Sequence, residues 1–368
     1  MKITDVIAHA YYTSHEKPIS NGLYTYDGTE IIICEVKTDD GISGYGWTRG
    51  TCGTTNLVVN TIRNLRDRVL GEDPFNVERI WAKMYLPKVY GRKGMEMHAI
   101  SSLDIALWDI IGKAAGRPLY QMMGGYRPAV PVYIAGGYYL PGKGIKELQD
   151  EMRTNVAKGV HAVKMKIGGA SISEDLERID AVRDAVGKDV DIMVDANNAY
   201  SRIEALKIGR ELDKRNIFWF EEPLHVDDLE GCAELTEKLV TPIAIGENEY
   251  TKWGFKEIID KHAANILNAD AQILGGITEW KKVADLAMSA HIMVAPHGDQ
   301  EIHIPLVAAV PNGLIAEYYD SNTNGLLHAM FTAKIVPDKD GFIKAPDHPG
   351  IGIEIDFERL EQYRVTVN

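Results

Sequence analysis

Seven short apolar runs, each ending in a polar or ionisable residue, recur at a nearly regular interval in the second half of the chain. From Asp195 onward, successive run ends lie 20 to 27 residues apart, which is room for one strand, one helix and two turns. This pattern predicts the parallel strands of a (β/α) barrel with its active site at the C-terminal rim. The run ends are, in order, Lys164 with Lys166, Asp195 with Asn197, Glu221, Glu247, Asp270, His297 and Glu317.

The segments between these runs have the spacing of amphipathic helices. Apolar residues within 176–186 share one helix face, after a predicted start at Ser173 and before Gly187. Ser201 and Glu204 have the spacing of a capping box that opens the next helix. Strand and helix therefore alternate, as they do around a parallel sheet.

The N-terminal third of the chain has a different pattern. Residues 3–13 and 30–48 have the composition of strands, with a hairpin turn at Asp39-Asp40-Gly41. The polar stretch His15–Thr29 between them is expected to be a long loop. Strands followed by a run of helices predict an α+β domain. The predicted helices cover residues 55–71, 74–85 and 95–115.

These patterns divide the chain into three parts. Residues 1–125 form the predicted α+β domain, and residues 126–325 form the predicted barrel. The pattern loosens in residues 326–368. We expect this last segment to pack outside the barrel, where it could contact the N-terminal domain.

The composition is that of an ordinary globular protein, with 45% hydrophobic and 25% charged residues among 368. The net charge of −13 argues against nucleic-acid and anionic-membrane surfaces, which need clustered lysine and arginine. The sequence contains no run of 18 apolar residues and no recognisable signal peptide. Cys34, Cys52 and Cys232 lack metal-site spacing, and we expect reduced thiols in a cytoplasmic protein.

Three consecutive runs end in carboxylates, at Asp195, Glu221 and Glu247. Barrel strand ends converge, so these anions would lie close together and disfavour one another's ionisation. A hard divalent cation relieves that repulsion, and three carboxylates with open positions suit Mg²⁺. The alternative is three unrelated rim carboxylates, solvated or paired with arginine. Their regular spacing favours the metal site.

Lys164 and Lys166 lie two residues apart on a predicted strand, so both ammonium groups point to the same side. Near a metal and a second lysine the ammonium form is disfavoured, so we expect a lowered pKa. A lysine with a lowered pKa can act as a general base. The alternative role for both lysines is neutralisation of the three carboxylates.

Asp270 and His297 end adjacent runs. A carboxylate beside an imidazole fixes its tautomer and raises its basicity, which makes a usable acid or base, whereas a lone histidine is more often structural. Glu317 would lie near the substrate and could donate a hydrogen bond if protonated. Asn197 is a candidate polar contact, and Glu222 should point away from the centre. A metal with bases on two faces suits abstraction of a proton α to a carboxylate.

With these motifs in place, the whole chain resembles the mandelate racemase subgroup of the enolase superfamily. The resemblance implies an α/β fold, a modified (β/α)7β TIM-like barrel with an N-terminal α+β capping domain. The N-terminal domain contributes TDDGISGYGW and SSLDIALWDIIGKAAGRPL. The barrel contributes K-x-K at 164–166, VDAN at 194–197, EEP at 221–223, GEN at 246–248, the Asp270 and His297 pair, and Glu317.

The resemblance also implies a role for each run end. Lys166 would be the base on one face of the substrate, assisted at the substrate carboxylate by Lys164. His297, paired with Asp270, would be the acid or base on the other face, and Glu317 would donate to the carboxylate. Mg²⁺ would be held by the three carboxylates of Asp195, Glu221 and Glu247.

Three reactions fit such a site. They are dehydration of an acid sugar (an aldonate or aldarate) to a 2-keto-3-deoxy acid, racemisation or epimerisation of a 2-hydroxy acid, and cycloisomerisation. We favour dehydration by a hydro-lyase through a metal-stabilised enediolate, because similar proteins with both K-x-K and the His–Asp pair are commonly acid sugar dehydratases. A non-catalytic sugar-acid-binding protein is the alternative from another class, but a binder has no need of opposed acid and base groups.

Specificity should come from the N-terminal domain. Tyr24, Tyr26 and Arg49 lie in its polar segments His15–Thr29 and Trp47–Thr55, and could reach substrate hydroxyls or a second carboxylate. Exposed loop side chains without a ligand are the alternative for each of them. The expected partner is a small anionic sugar acid, with no nucleic acid and no membrane, and we expect a homo-oligomer.

Overall fold

An antiparallel sheet and five helices build the N-terminal domain in the computed structural model, which describes residues 1–50, 53–321 and 323–367. The sheet has the order β1-β2-β3. Its strands are Ile3–Ser20 (β1), Thr25–Thr38 (β2) and Ser43–Gly50 (β3). The helices are Thr55–Val69 (α1), Val77–Met84 (α2), Pro87–Tyr90 (α3), Met95–Ala115 (α4) and Leu119–Met122 (α5).

Helix α4 packs directly on this sheet, with its predicted bounds confirmed. Most of its side chains are buried, as expected for a helix between two layers. Gly46 on β3 permits the close approach, because a Cβ there would lie 2.0 Å from the carbonyl oxygen of Ser102. The sheet and α4 therefore form the core of the domain, which covers the barrel.

The predicted loop at His15–Thr29 is wrong. Strands β1 and β2 continue through most of this segment as an antiparallel ribbon that turns at 21–24. A register shift between Ser14 and Ile19 interrupts the ribbon. Apart from the buried Asn21, its side chains are exposed or half-buried, so the apolar alternation that marks a strand with one buried face is absent from the sequence.

In the described part of the chain, eight parallel strands form the barrel and confirm the predicted α/β fold with its capping domain. Strands β4 to β10 follow one another in chain order, and β11 pairs with β4. A parallel bridge between Val294, on the strand β10, and Gly313, three residues before β11, connects the two ends of the sheet. The strands are Ala129–Gly136 (β4), Ala162–Lys166 (β5), Asp191–Asp195 (β6), Trp219–Glu221 (β7), Ile243–Ile245 (β8), Ile266–Leu267 (β9), Met293–Val294 (β10) and Ala316–Tyr319 (β11).

One helix follows each of the first seven barrel strands. The predicted capping box of Ser201 and Glu204 is confirmed. The predicted start of the preceding helix at Ser173 is wrong, because the helix begins after Ser171, whose side chain accepts from Glu174 N–H. The helices are Ile145–Val156 (α6), Ile172–Val186 (α7), Arg202–Leu212 (α8), Leu229–Lys238 (α9), Thr251–Asp260 (α10), Ile277–Ser289 (α11) and Gln300–Ala309 (α12).

The last part of the chain contacts both domains. Its elements are Gly325–Met330 (α13), Phe342–Lys344 (β12) and Phe357–Leu360 (α14). Strand β12 pairs antiparallel with the start of β4, and Val365 N–H donates to the carbonyl oxygen of Ala10, 2.9 Å away. The domain boundaries proposed at 125 and 325 stay a prediction.

Buried polar contacts join the N-terminal domain to the barrel. Asp104 on α4 accepts from the backbone N–H of Thr278 at 2.9 Å and from its hydroxyl at 2.6 Å, at the start of α11. Gly276 makes room for this carboxylate, because a Cβ there would lie 2.3 Å from Asp104 Oδ2. Trp108 Nε1 donates to the same hydroxyl at 2.9 Å.

Two of the three cysteines are described, and both are buried. Burial raises the pKa of Cys34, and it raises the pKa of Cys232 to about 12. Cys52, together with part of the Trp47–Thr55 segment, lies outside the described residues. Within the described ranges, no helix has both the length and the apolar character needed to cross a membrane.

Candidate active site

The barrel strands bring all the predicted run ends to one rim. Lys166 is paired in the β5–β6 register with Asp195, which in turn is paired in the β6–β7 register with Glu221. Glu247 lies two residues beyond the end of β8, and Glu317 lies within β11. Parallel strands end at the same edge of the sheet, so neighbouring strands place their last side chains next to one another. Asp270 and His297 each lie three residues beyond their strands, β9 and β10.

Asp195, Glu221 and Glu247 form a buried carboxylate cluster. One oxygen from each lies within 4.8 Å of the others. Burial raises the pKa of Glu221 to about 8, with the charges of Asp195 and Glu247 adding to the rise and Lys164 opposing it. Among the described residues, Glu247 Oε2 has no hydrogen-bond partner although it is buried. A hard divalent cation fits this set of oxygen ligands and would satisfy that atom.

The two lysines are bound to these carboxylates. Lys164 Nζ lies 2.7 Å from Glu221 Oε1 and 2.9 Å from Glu317 Oε1, and Lys166 Nζ lies 2.5 Å from Asp195 Oδ2. The predicted fall in lysine pKa supposes a metal ion beside the lysines, and it stays a prediction. The protein side chains by themselves shift the two pKa values the other way. Burial disfavours both ammonium groups, but the adjacent carboxylates outweigh it and raise both pKa values.

Asp270 and His297 form the predicted pair, with Asp270 Oδ2 2.9 Å from His297 Nδ1. Burial lowers the pKa of His297, but Glu247, Asp270 and Glu317 raise it to about 10. Burial would raise the pKa of Asp270, whereas its hydrogen bonds to His297 and His303 hold it well below the usual range. Asp270 is therefore a carboxylate that orients the imidazole and leaves Nε2 facing the rim.

Glu317 is held in its ionised form. Burial raises its pKa, but Lys164, His297 and Lys166 lower it to about 2. Its Oε2 accepts from Gly298 N–H at 3.0 Å. The predicted hydrogen-bond donor would need a proton on Glu317, and these cations disfavour it.

Two more predicted residues lie in or beside the cluster. Asn197 Nδ2 is 3.4 Å from Glu247 Oε1, and its backbone N–H donates to Asp195 at 2.9 Å. Glu222 does not project into solvent but is buried, where it accepts from Asn248 Nδ2 at 2.7 Å. Burial together with the charges of Glu247 and Asp195 raises the pKa of Glu222 well above its usual range.

The N-terminal domain brings two of its three predicted residues to the site. Arg49 pairs with Asp299, which lies two residues after His297. Burial raises the pKa of Tyr26, and this tyrosine lies close enough to Lys166 for the lysine's charge to lower that pKa in part. Tyr24 is 54% exposed, and its backbone instead closes the ribbon turn. The structure does not bring Tyr24 to the cluster.

Two tyrosines were missed by the sequence reasoning. Tyr319 Oη lies 3.2 Å from His297 Nε2, and the Lys166 ammonium lies 5.2 Å from the ring centroid of Tyr138. Tyr319 follows Glu317 by two residues on β11, so the same-face spacing that identified the lysines could have found it. Tyr138 lies in the loop after β4, where no spacing marks it.

Comparison with known families identifies the chain. A profile for the mandelate racemase / muconate lactonizing enzyme N-terminal domain matches residues 2–124, and one for the enolase C-terminal domain-like family matches residues 147–360. The chain belongs to the mandelate racemase subgroup of the enolase superfamily. The predicted family is confirmed.

Several members of this subgroup are similar over nearly the whole chain. Arabinonate dehydratase of Saccharolobus solfataricus is 40% identical over 91% of both chains. The 3,6-anhydro-alpha-L-galactonate cycloisomerase of Streptomyces coelicolor is 35% identical, over 91% of this chain and 92% of the relative. A structure of an L-talarate/galactarate dehydratase mutant, liganded with Mg and L-glucarate, superposes with a TM-score of 0.92 at 30% identity, covering 99% of this chain and 92% of the other.

Proposed function

We propose that the protein is a Mg²⁺-dependent dehydratase that converts an acid sugar into a 2-keto-3-deoxy acid. The observation that carries the proposal is the position of two different acid/base side chains around one carboxylate cluster. Lys166 Nζ lies 2.5 Å from Asp195, and His297 Nε2 lies 3.9 Å from Glu247. The dehydratases among the similar proteins support the reaction, and the Mg and sugar-acid ligands of a similar structure support the cofactor and substrate class.

The cluster of Asp195, Glu221 and Glu247 would hold the cation. When bound, Mg²⁺ would supply positive charge that stabilises the negative charge developing on the substrate carboxylate. The buried Glu247 Oε2, which lacks a hydrogen-bond partner among the described residues, supports this assignment.

Lys164 would bind and orient the substrate carboxylate. Its side chain is 1% exposed and its ammonium lies between Glu221 and Glu317, so it stays charged while shielded from water. Glu317 pairs with the Lys164 ammonium through Oε1, and its own Oε2 accepts from Gly298 N–H, which fixes the carboxylate in place. A charged donor in a dry site is worth more than the same donor in water.

Lys166 and His297 would carry the protons. Either Lys166 Nζ or His297 Nε2 removes the proton from C2, depending on the configuration there. His297 then donates a proton to the hydroxyl on C3, the C3–O bond breaks, and water leaves. The resulting enol takes up a proton at C3 while its C2 hydroxyl loses one, and it becomes the 2-keto-3-deoxy acid. Asp270 fixes His297 through Nδ1, so that Nε2 is the atom that exchanges protons.

A screen of aldonates and aldarates in D₂O with Mg²⁺ tests the proposal. Release of a keto acid, with loss of the C2 proton, is the expected result. Deuterium at C2 without keto acid would instead support racemisation or epimerisation by the same two groups. If no acid sugar exchanges its C2 proton or reacts, the protein is a binder and the proposal is wrong.

A further inference from the structure

The charges around the far end of the substrate decide between the two classes of acid sugar. We propose that this site takes an aldonate, which has one carboxylate, and discriminates against the aldarate of the same configuration, which has two. The inference rests on the proposed function and concerns the same site. The substrate end remote from C1 carries a neutral hydroxymethyl group in an aldonate and a carboxylate in an aldarate, so the protein must either pair a second negative charge or exclude it.

Arg49 is a cation that the N-terminal domain brings to this rim, and its charge is already paired with Asp299. Its guanidinium donates to Asp299 Oδ1 and lies 4.8 Å from the ring centroid of Tyr319. Asp299 has a fully buried side chain, and its Oδ2 accepts from Trp47 Nε1 and from Gln272 Nε2, both at 3.0 Å. These contacts fix the carboxylate where its charge needs Arg49.

Turning Arg49 toward a substrate carboxylate would strip a buried anion of its charge partner. Breaking a buried ion pair by removing one member is strongly unfavourable, because the other charge stays desolvated. Arg49 could serve a diacid only at that cost. It can still donate hydrogen bonds to neutral hydroxyls while it remains paired, since a guanidinium has five N–H groups.

A cavity of about 530 Å³ opens beside Tyr138, between the ribbon of the N-terminal domain and the β4–α6 loop. Its lysine Lys143 pairs with Glu151 and donates to the carbonyl oxygen of Tyr138 at 2.9 Å. Its other lysine, Lys17, is exposed, and an ion pair between an exposed lysine and a carboxylate contributes little binding free energy. The lining has no surplus of positive charge, because four carboxylates face these two lysines: Glu147, Asp150, Glu151 and Asp320.

Three of the neutral polar groups at the rim are phenols. Tyr138 lies against Lys166, Tyr319 lies against His297, and Tyr26 accepts from Asn21 Nδ2 at 3.2 Å, which leaves its own proton for donation. A phenol both donates and accepts, as a sugar hydroxyl does. The rim is therefore equipped for hydroxyl groups, and a second carboxylate desolvated there would compete with Asp299 for Arg49.

The test compares each aldonate with the aldarate of identical configuration at every hydroxyl-bearing carbon, such as D-gluconate with D-glucarate. We expect kcat/KM for the active aldonate to exceed that of its aldarate by at least about tenfold, as a site rejects a group it leaves unpaired. An aldarate that reacts as well as or better than its aldonate overturns this inference while the dehydratase proposal stands. If neither class reacts or exchanges at C2, both proposals fail.

Two sets of variants locate the discrimination. Asp299→Asn releases the charge of Arg49 and should raise the aldarate to aldonate ratio of kcat/KM. The second set, Glu147→Gln with Asp150→Asn, changes exposed side chains that folding tolerates and should raise the same ratio to a smaller degree. Lys17→Ala should leave the ratio unchanged. A loss of aldarate turnover in Lys17→Ala alone would show that Lys17 binds a second carboxylate, and would overturn the inference.

Discussion

The hydroxyl of Thr278 is expected to hold the N-terminal domain on the barrel, and Thr278→Val tests this. Valine keeps the shape of threonine but removes the hydroxyl that donates to Asp104 at 2.6 Å and accepts from Trp108 Nε1 at 2.9 Å. Thr278 is 3% exposed and Asp104 is fully buried, so water does not replace the lost partner. The substitution therefore leaves one carboxylate oxygen and one indole N–H unsatisfied.

The size of the effect follows from those two groups. Each buried polar group left without a partner costs about 1 to 3 kcal/mol, with the half-buried Trp108 at the lower end. The variant should lose about 2 to 5 kcal/mol of unfolding free energy. For a chain of 368 residues this corresponds to a fall in Tm of about 3 to 6 °C.

Thermal unfolding at pH 8 measures this fall, with Thr278→Ser as the matched control because serine keeps the hydroxyl. The serine variant should unfold within about 2 °C of the wild type, since the loss of one methyl group is worth about 1 kcal/mol. If valine and serine variants unfold at the same temperature, the hydroxyl does not tie the two domains together and the reasoning is wrong.

Four further predictions concern the site and its surroundings. Lys166→Ala and His297→Asn should each lower kcat for dehydration by about 10²- to 10⁴-fold in a keto-acid assay, and undiminished turnover in both would refute their assignment as bases. Millimolar Mg²⁺ should raise the Tm of the wild type but not of Asp195→Asn, because a ligand stabilises only the fold that binds it. Tyr319→Phe should lower the apparent pKa assigned to His297 by up to about one unit in the pH profile of kcat. The phenol oxygen accepts from the charged Nε2–H more strongly than its hydroxyl donates to neutral Nε2, so an unmoved profile would contradict this. Burial raises the pKa of Asp104 to about 7, so between about pH 4 and pH 7 the folded state holds a proton that the unfolded state has released. The Tm should therefore fall as the pH rises from about 4 to 7, and Asp104→Asn should lack this part of the fall.

The barrel was predictable because the strands β5 to β11 are apolar runs, each of which ends at a change to a polar residue. The same coincidence located the three carboxylates and the His297–Asp270 pair, since the strand end is also the active-site end. The ribbon of β1 and β2 was not predictable in this way, because neither of its faces is buried enough to impose alternation on the sequence.

Contacts between distant parts of the chain were also beyond the sequence. Arg49 and Asp299 are 250 residues apart, and neither belongs to a repeating pattern that would connect them. The effect of the carboxylates on the lysine pKa values was beyond the sequence for a related reason. Spacing showed that Lys164 and Lys166 share a face, but the sign depends on distances to carboxylates on three other strands.

The pairing of Arg49 with Asp299 and of Asp104 with Thr278 has a consequence for recombination between members of the superfamily. Both pairs cross from the N-terminal domain to the barrel and are largely desolvated. A chimera that took its first domain from one parent and its barrel from another would break both pairs unless the parents share them, and would leave Asp299 as an isolated buried charge two residues from His297. Functional exchange of the first domain should therefore require Asp299 and Thr278 to be exchanged with it.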